Sequence, residues 1–103
     1  MLFKGWALFI AKIVFLGAEK GGRDYPPQTG YHPQIDIRGT HTSCVIESLD
    51  NEEVFAFEKE HLVSLRLMFP DQYPDPFHVG DAISLYEGNR LIGTGRIVQE
   101  QHA

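Results

Sequence analysis

A chain of 103 residues with 43% hydrophobic side chains is long enough to fold as one domain around one core, and it is too hydrophobic for a disordered protein. Its 14 acidic and 9 basic residues give a net charge of −5, which argues against a protein held mainly by the phosphates of a nucleic acid. The single cysteine, Cys44, excludes an internal disulfide and predicts a reducing, cytoplasmic location.

The first predicted element is a β-strand over Ala7–Leu16. Its odd-numbered positions, such as Phe9 and Ile13, are all apolar and indicate a face turned to the core. The opposite face is interrupted by Lys12, so we expect it to be half covered at most. A signal peptide is an alternative interpretation of this apolar run, but Lys12 lies inside its hydrophobic segment and favours the strand.

A long connection follows from Gly21 to Gln34, with three glycines and three prolines. Proline fixes the backbone and has no amide to donate, so this segment is neither a helix nor a central strand. We predict a rigid loop between two paired strands.

Short apolar or alternating runs continue to the end of the chain, and turn residues separate them. The remaining predicted strands are Gln34–Arg38, Thr42–Glu47, Val54–Phe57, Leu62–Met68, Ile83–Tyr86 and Leu91–Val98. No stretch has sustained helical periodicity, so the fold class is all-β, either a small closed barrel or a sandwich. We expect one domain over residues 1–103, with an ordered core at about 6–98 and a frayed polar tail from Gln99.

Two glycines, Gly93 and Gly95, lie two residues apart on one face of the last predicted strand. Glycines at this spacing indicate a closely approaching backbone or a barrel corner. If Gly93 faces a crossing backbone, Gly93→Val should unfold the domain.

Two blocks of sequence carry a family resemblance. The first runs from Phe9 to Ile37 and contains Gly21-Gly22-Arg23, Pro26 and Gly30-Tyr31-x-Pro33-Gln34. The second is Ile83-x-Leu85-x-Glu87-Gly88-x-Arg90-x-x-Gly93-x-Gly95. Together they resemble the C-terminal (third) domain of the translation elongation factor Tu family, while the middle of the chain matches only in pattern. The resemblance implies a small closed six-stranded antiparallel β-barrel.

The resemblance also implies an RNA-contacting face. In the family this barrel touches the T stem of tRNA, partly through an arginine, a glutamine and a glutamate that match Arg23, Gln34 and Glu87. Asp24 and Tyr25 stand where the family has a histidine and a threonine, which removes positive charge where phosphate would lie.

The GTPase part of the family is absent from the sequence. No Gly-x-x-x-x-Gly-Lys-Ser/Thr motif is present to hold a nucleotide. The resemblance therefore implies neither GTP hydrolysis nor delivery of aminoacyl-tRNA, and we expect a protein with no catalytic residues and no cofactor.

Structural roles compete with binding roles at the charged candidates. Arg23 is a phosphate or partner contact, or it pairs with Asp24, with Glu87 or with a carbonyl group. Glu87 and Arg90 bracket a turn, so both are candidates for RNA or partner contact and for turn stabilisation.

His41-x-x-Cys44 is too small a motif for a metal site, because structural zinc needs four ligands and no second pair follows. Cys44 has no evident activating base near it in sequence, which favours a small buried hydrophobic residue over a nucleophile. We predict no metal site.

Aromatic and apolar residues supply a second set of candidates. Phe69, Tyr73 and Phe77 lie in a proline-rich loop and would recognise a partner at low entropic cost, unless their rings cap one end of the barrel. Trp6, Leu8 and Ile10 form another apolar feature for docking, which the N-terminal residues themselves could instead cover.

Three functional hypotheses follow. The first is a non-enzymatic module that binds a protein, or itself, through Trp6, Ile10 and the aromatic loop. The second is an RNA-binding module that keeps part of the tRNA face around Arg23, Gln34 and Glu87. The third, a small hydrolase, would need a catalytic site that the sequence does not reveal. We favour the first and expect no nucleotide and no membrane as partners.

Overall fold

The computed structural model describes residues 7–102, which form a closed antiparallel β-barrel with strand order β1-β4-β3-β2-β5-β6. The strands are β1 (Ala7–Phe15), β2 (Gln34–Ile37), β3 (Thr40–Ser48), β4 (Glu60–Leu67), β5 (Ala82–Glu87) and β6 (Arg90–His102). The only helices in this range are two 3-10 turns, at Ala18–Lys20 and Pro70–Gln72, and neither is long enough to cross a membrane. The expected all-β, six-stranded barrel is confirmed, and the sandwich alternative is wrong.

Period-two alternation places the core inside the barrel. In β1, Phe9, Ile13 and Phe15 are buried while Lys12 is exposed, as the sequence pattern predicts. The Phe15 ring stacks on Phe55 with 5.1 Å between the ring centroids. Full closure of the sheet leaves no long unpaired edge, which lets a domain of this size bury one continuous core.

Two of the predicted strands differ from the structure: one does not form, and the other is longer than predicted. Val54–Phe57 is not a strand. Val54 forms only an isolated bridge with Gln28, and the side chain of the next residue, Phe55, is buried in the core. β6 continues to His102 instead of ending at Val98, and it pairs there with the start of β1. The polar side chains of this extension give no apolar alternation that would predict a strand. The extension can still pair, because the hydrogen bonds of a strand are made by backbone groups.

The strands define two ends of the barrel. The upper end carries the 16–33 and 49–59 loops and the Gly88-Asn89 turn, because β1, β3 and β5 run toward it. The lower end carries the 38–39 turn and the 68–81 loop. This arrangement separates the charged candidates, at the upper end, from the aromatic loop at the lower end.

Closure between β2 and β5 is narrow. These strands pair in register at only two positions, Gln34 with Tyr86 and Ile35 with Leu85. The β1–β6 pairing by contrast runs from Ala7 to Phe15. The β2–β5 seam is therefore the least extensively paired contact between neighbouring strands.

The close backbone approach predicted for β6 lies at Gly95. A Cβ atom on Gly95 would lie 2.1 Å from the carbonyl oxygen of Lys12, which no real side chain tolerates. At Gly93 the nearest atom would be Cδ1 of Phe15, at 3.2 Å, with a backbone oxygen only slightly farther. The backbone of β1 therefore leaves less room for a side chain at Gly95 than at Gly93, the position for which the sequence predicts this limit.

A buried histidine holds the 49–59 loop against the core. The His61 side chain is 0% exposed, with Nδ1 2.7 Å from Oε1 of Glu52 and Nε2 2.8 Å from the carbonyl oxygen of Ala56. Each ring nitrogen thus lies within hydrogen-bonding distance of an oxygen atom of the 49–59 loop. The ring therefore joins the loop to β4 through two polar contacts.

We expect Glu52 to make the domain sensitive to acid. Hydrogen bonds from His61 and Lys59 hold the pKa of Glu52 below its ordinary value of 4.5. Its stabilising effect is complete above pH 4.5 and is lost as the pH falls through the lowered value, because the unfolded chain then binds the proton more readily. The melting temperature of the wild-type protein, followed by circular dichroism, should fall more steeply below pH 4.5 than that of Glu52→Gln. Superimposable pH profiles would contradict this expectation.

Candidate functional site

A polar cluster at the upper end joins two segments that are far apart in sequence. Nη1 of Arg23 donates to the hydroxyl of Tyr31 at 3.2 Å and to the carboxylate of Glu87. The Tyr31 hydroxyl donates to the same Glu87 carboxylate, and the Arg23 guanidinium lies 4.8 Å from the centroid of the Tyr31 ring. We call Arg23, Tyr31 and Glu87 the upper-end cluster.

Two adjacent glycines place Arg23 in this cluster. Gly21 has a φ of +82°, a left-handed conformation that favours glycine. A Cβ on Gly22 would lie 1.9 Å from the carbonyl oxygen of Leu16, and that oxygen accepts a 2.9 Å hydrogen bond from the Arg23 amide. The glycines therefore let the chain turn back on the end of β1, and Arg23 leaves the turn toward Glu87.

The electrostatics of the cluster are those of a closed network. Partial burial alone would lower the pKa of Arg23, but hydrogen bonds to Tyr31 and Glu87 raise it above its ordinary value. Burial and the neighbouring Glu87 carboxylate raise the pKa of Tyr31 well above its ordinary value of 10.0. The raised pKa values keep the arginine charged and the phenol neutral at neutral pH, and both contact the Glu87 carboxyl group. The positive charge of Arg23 is offset within the protein.

Arg23 pairs with Glu87, one of the partners that the sequence analysis considered, and its Nε also donates to the carbonyl oxygen of Tyr25 at 2.9 Å. Arg90 lies close by, where its Nη1 donates to the carbonyl oxygen of Gly22 at 3.2 Å. Both arginines therefore brace the same loop.

Gln34 does not join the upper-end cluster. It is exposed at the start of β2, opposite Tyr86 on β5, and its side chain forms no hydrogen bond within residues 7–102. The structure thus brings together Arg23, Glu87 and the neighbouring Arg90, and leaves the fourth candidate beside them.

An open groove of 460 Å³ lies next to the cluster, lined by residues of the 23–31 loop. Tyr25 is 77% exposed on it, and Pro26 and Pro27 follow directly. The backbone here is anchored, because the carbonyl oxygen of Pro27 accepts a 2.8 Å hydrogen bond from the Phe55 amide. In the sequence Tyr25 is marked only by its departure from the family pattern, although an aromatic residue before two prolines is itself a sign of a preorganised contact.

The aromatic loop at the lower end serves mainly the core. Phe77 is 5% exposed and packs edge-on against Phe9, with 5.3 Å between ring centroids. Tyr73 is half-buried against the same core, and only Phe69, at 54% exposure, faces solvent. Phe77 is therefore unavailable to a partner in this conformation, because its ring closes the lower end of the barrel.

The other apolar candidates, Trp6 and Ile10, do not form a described apolar patch. Trp6 lies outside the described residues. Ile10 is half-buried on β1, between Ser64 of β4 and Gln99 of β6. It adds one apolar side chain to the outer face of the sheet, without a described apolar neighbour across either strand pair.

Cys44 and His41 do not form a reactive or metal-binding pair. Cys44 is fully buried, and burial raises the pKa of its thiol to about 12, so it is protonated at neutral pH. His41 faces outward, stacks on Tyr86 at 4.4 Å between ring centroids and lies 3.6 Å from the carboxylate of Asp36. Within residues 7–102, no group of three or more histidine, cysteine or acidic side chains could hold a metal ion.

Comparisons with known proteins agree with this architecture. The family model described as the elongation factor Tu C-terminal domain matches residues 3–99. Elongation factor Tu 2 of Streptomyces avermitilis is 29% identical over 89 residues, which cover 86% of this chain and 22% of that protein. The chain thus spans about a fifth of the length of this curated relative.

Proposed function

Since this chain belongs to the elongation factor Tu C-terminal domain family, we propose that it is a non-enzymatic cytoplasmic binding module whose partner is a protein. The module would dock through the upper end of the barrel, around Tyr25 and its groove. The activity of a full-length relative is not carried over, because the matched part is only 22% of that protein.

The observation that carries this proposal is the internal pairing of Arg23. Phosphate binding needs unpaired cationic groups, because affinity for nucleic acids comes largely from counterion release. Here Glu87 offsets the charge of Arg23, and Asp24 follows in a chain of net charge −5. An end of the barrel with little net positive charge and an exposed tyrosine suits a protein surface better than a phosphate backbone.

Tyr25 supplies the anchor for such a partner. Tyrosine offers a large apolar ring with a polar tip, and few torsions must be fixed when it binds. The two following prolines and the hydrogen bond from Phe55 to Pro27 hold the loop before binding. We infer that the partner receives the Tyr25 ring in a pocket beside the upper-end cluster.

We expect Tyr25→Ala to weaken partner binding about tenfold or more, because hot-spot truncations cost about 2 kcal/mol or more. The measurement is affinity capture from the native cell extract with immobilised wild-type, Tyr25→Ala and Phe69→Ala proteins, followed by titration of the captured partner. Phe69→Ala removes a similarly exposed ring at the opposite end and should bind like the wild type. Equal binding by all three proteins, or loss only in Phe69→Ala, would reject the upper end as the docking surface.

RNA binding is the second candidate, and the convergence of Arg23, Glu87 and Arg90 at one end of the barrel favours it. Binding of bulk tRNA across a salt series separates the two functions. Micromolar or tighter binding that weakens steeply with salt and is lost in Arg23→Ala would support the RNA module. No binding at low salt leaves the protein partner, and sedimentation analysis of the purified chain then tests whether that partner is a second copy.

A further inference from the structure

The outer face of the barrel carries two cations directly opposite each other. Lys12 of β1 and Arg96 of β6 are cross-strand partners, and both side chains are exposed. Residues paired in this way have Cβ atoms about 5 Å apart on the same face, and like charges at that spacing destabilise the sheet.

No described carboxylate lies directly opposite either cation. The outer neighbours in the same row are Leu62 of β4, opposite Lys12, and Ala82 of β5, opposite Arg96. Glu60 lies diagonally from Lys12 in the next row. Neither cation forms an ion pair or a side-chain hydrogen bond with any residue of the described range 7–102, although the chain has 14 acidic side chains.

The pair lies in a groove of 490 Å³ that crosses β1, β6 and β5. Ser84 and Thr94 line the same groove and are themselves cross-strand partners in the row next to the cations. The groove therefore presents a guanidinium, an ammonium and two hydroxyl groups, and Glu60 of β4 also lines it. It lies on the side of the barrel and is independent of the upper-end cluster.

We propose that Lys12 and Arg96, with Ser84 and Thr94, bind a phosphomonoester dianion. Its two negative charges match the positive charges of Lys12 and Arg96, and its three terminal oxygens accept hydrogen bonds from lysine, arginine and hydroxyl groups together. Binding removes the repulsion between the cations, so ligand affinity and sheet stability rise together. The phosphoryl group comes either from a free small molecule or from a phosphorylated side chain of a protein.

The proposal is tested by following the backbone amide resonances of Lys12, Thr94 and Arg96 by NMR during titration. The probes are inorganic phosphate and a phosphoserine peptide, each with sodium chloride adjusted to keep the ionic strength constant. The wild type should show saturable shifts confined to the groove. A stronger response to the phosphoserine peptide than to phosphate assigns the source to a modified protein, and the reverse assigns it to a small molecule.

Three charge-neutralising variants give the comparison. Lys12→Gln and Arg96→Gln should each weaken phosphate binding about tenfold or more, because each removes a charge-assisted hydrogen bond. Both should melt at or above the wild-type temperature without phosphate, because the like-charge repulsion is gone. Arg66→Gln is the matched control: Arg66 is exposed on β4, faces Leu8 and Val45, forms no ion pair within the described residues and lies outside the groove.

Several results would overturn the phosphate site. Equal phosphate shifts in all four proteins would identify non-specific ion binding. Clear melting at a lower temperature in both groove variants without phosphate would show that the cations stabilise the sheet on their own. Binding of bulk tRNA through Lys12 and Arg96 without binding of either phosphomonoester probe would replace the site with a nucleic-acid contact.

Discussion

Gly95→Ala is expected to lower the free energy of unfolding by about 3 kcal/mol or more, at the upper end of the cost of overpacking. The new Cβ would lie 2.1 Å from the carbonyl oxygen of Lys12 and 3.0 Å from Cα of Ile13. Both atoms belong to the backbone of β1, so no side-chain rotation relieves the clash. The β1–β6 ladder must shift instead, and that ladder is the longest pairing in the barrel.

Chemical denaturation of Gly95→Ala and Gly93→Ala measures this effect. Gly93→Ala is the matched control on the same strand, because the nearest atom to its Cβ would be Cδ1 of the Phe15 side chain, at 3.2 Å, and no backbone atom would lie within 3.0 Å. We expect it to cost clearly less than Gly95→Ala, while the larger Gly93→Val should still be severe. If both alanine variants unfold at the same denaturant concentration, the close backbone approach at Gly95 does not limit the fold.

Phe77→Ala is expected to cost about 3–5 kcal/mol of stability, the usual range for truncating a buried phenylalanine. Its ring is almost fully buried and meets Phe9 edge-on, so truncation leaves a cavity at the lower end. The 68–81 loop would lose its anchor to the core at the same time. Differential scanning calorimetry should show a large fall in melting temperature.

Phe69→Ala is the control for this experiment, because it removes the same side chain from an exposed position of the same loop. We expect a change within about 0.5 kcal/mol. A stable Phe77→Ala protein that had lost partner binding would instead return the aromatic loop to the list of recognition surfaces. The two variants thus separate packing from binding at this end of the molecule.

Alternation in the sequence predicts most of the strands because each strand has one face in the core. The prediction fails where a residue is buried without being in a strand, or is paired in a strand without having an apolar side chain. Phe55 is buried without a strand around it, and residues 99–102 pair as a strand without apolar side chains. A period-two pattern indicates which side chains are buried and not which backbone groups are paired. It therefore predicts a strand around Phe55 where none forms, and it does not predict the paired residues 99–102.

The upper-end cluster was predictable only in part. The resemblance singles out Arg23 and Glu87, which are 64 residues apart, and their direct pairing is one of several alternatives that the sequence leaves open. The place of Tyr31 between them depends on the turn at Gly21-Gly22, which a one-dimensional pattern does not describe. Phe77 shows the opposite limit, because sequence does not distinguish an aromatic side chain that closes a barrel from one that meets a partner.

Because β2 and β5 pair at only two positions, we expect the barrel to open locally between these two strands. Local opening begins where few backbone hydrogen bonds and few packed residues must be broken, and this seam has two register pairs. One of those pairs contains Tyr86, whose next neighbour along β5 is Glu87. The carboxylate that contacts Arg23 therefore lies beside this seam, and we expect local opening of the sheet to occur next to the proposed docking surface.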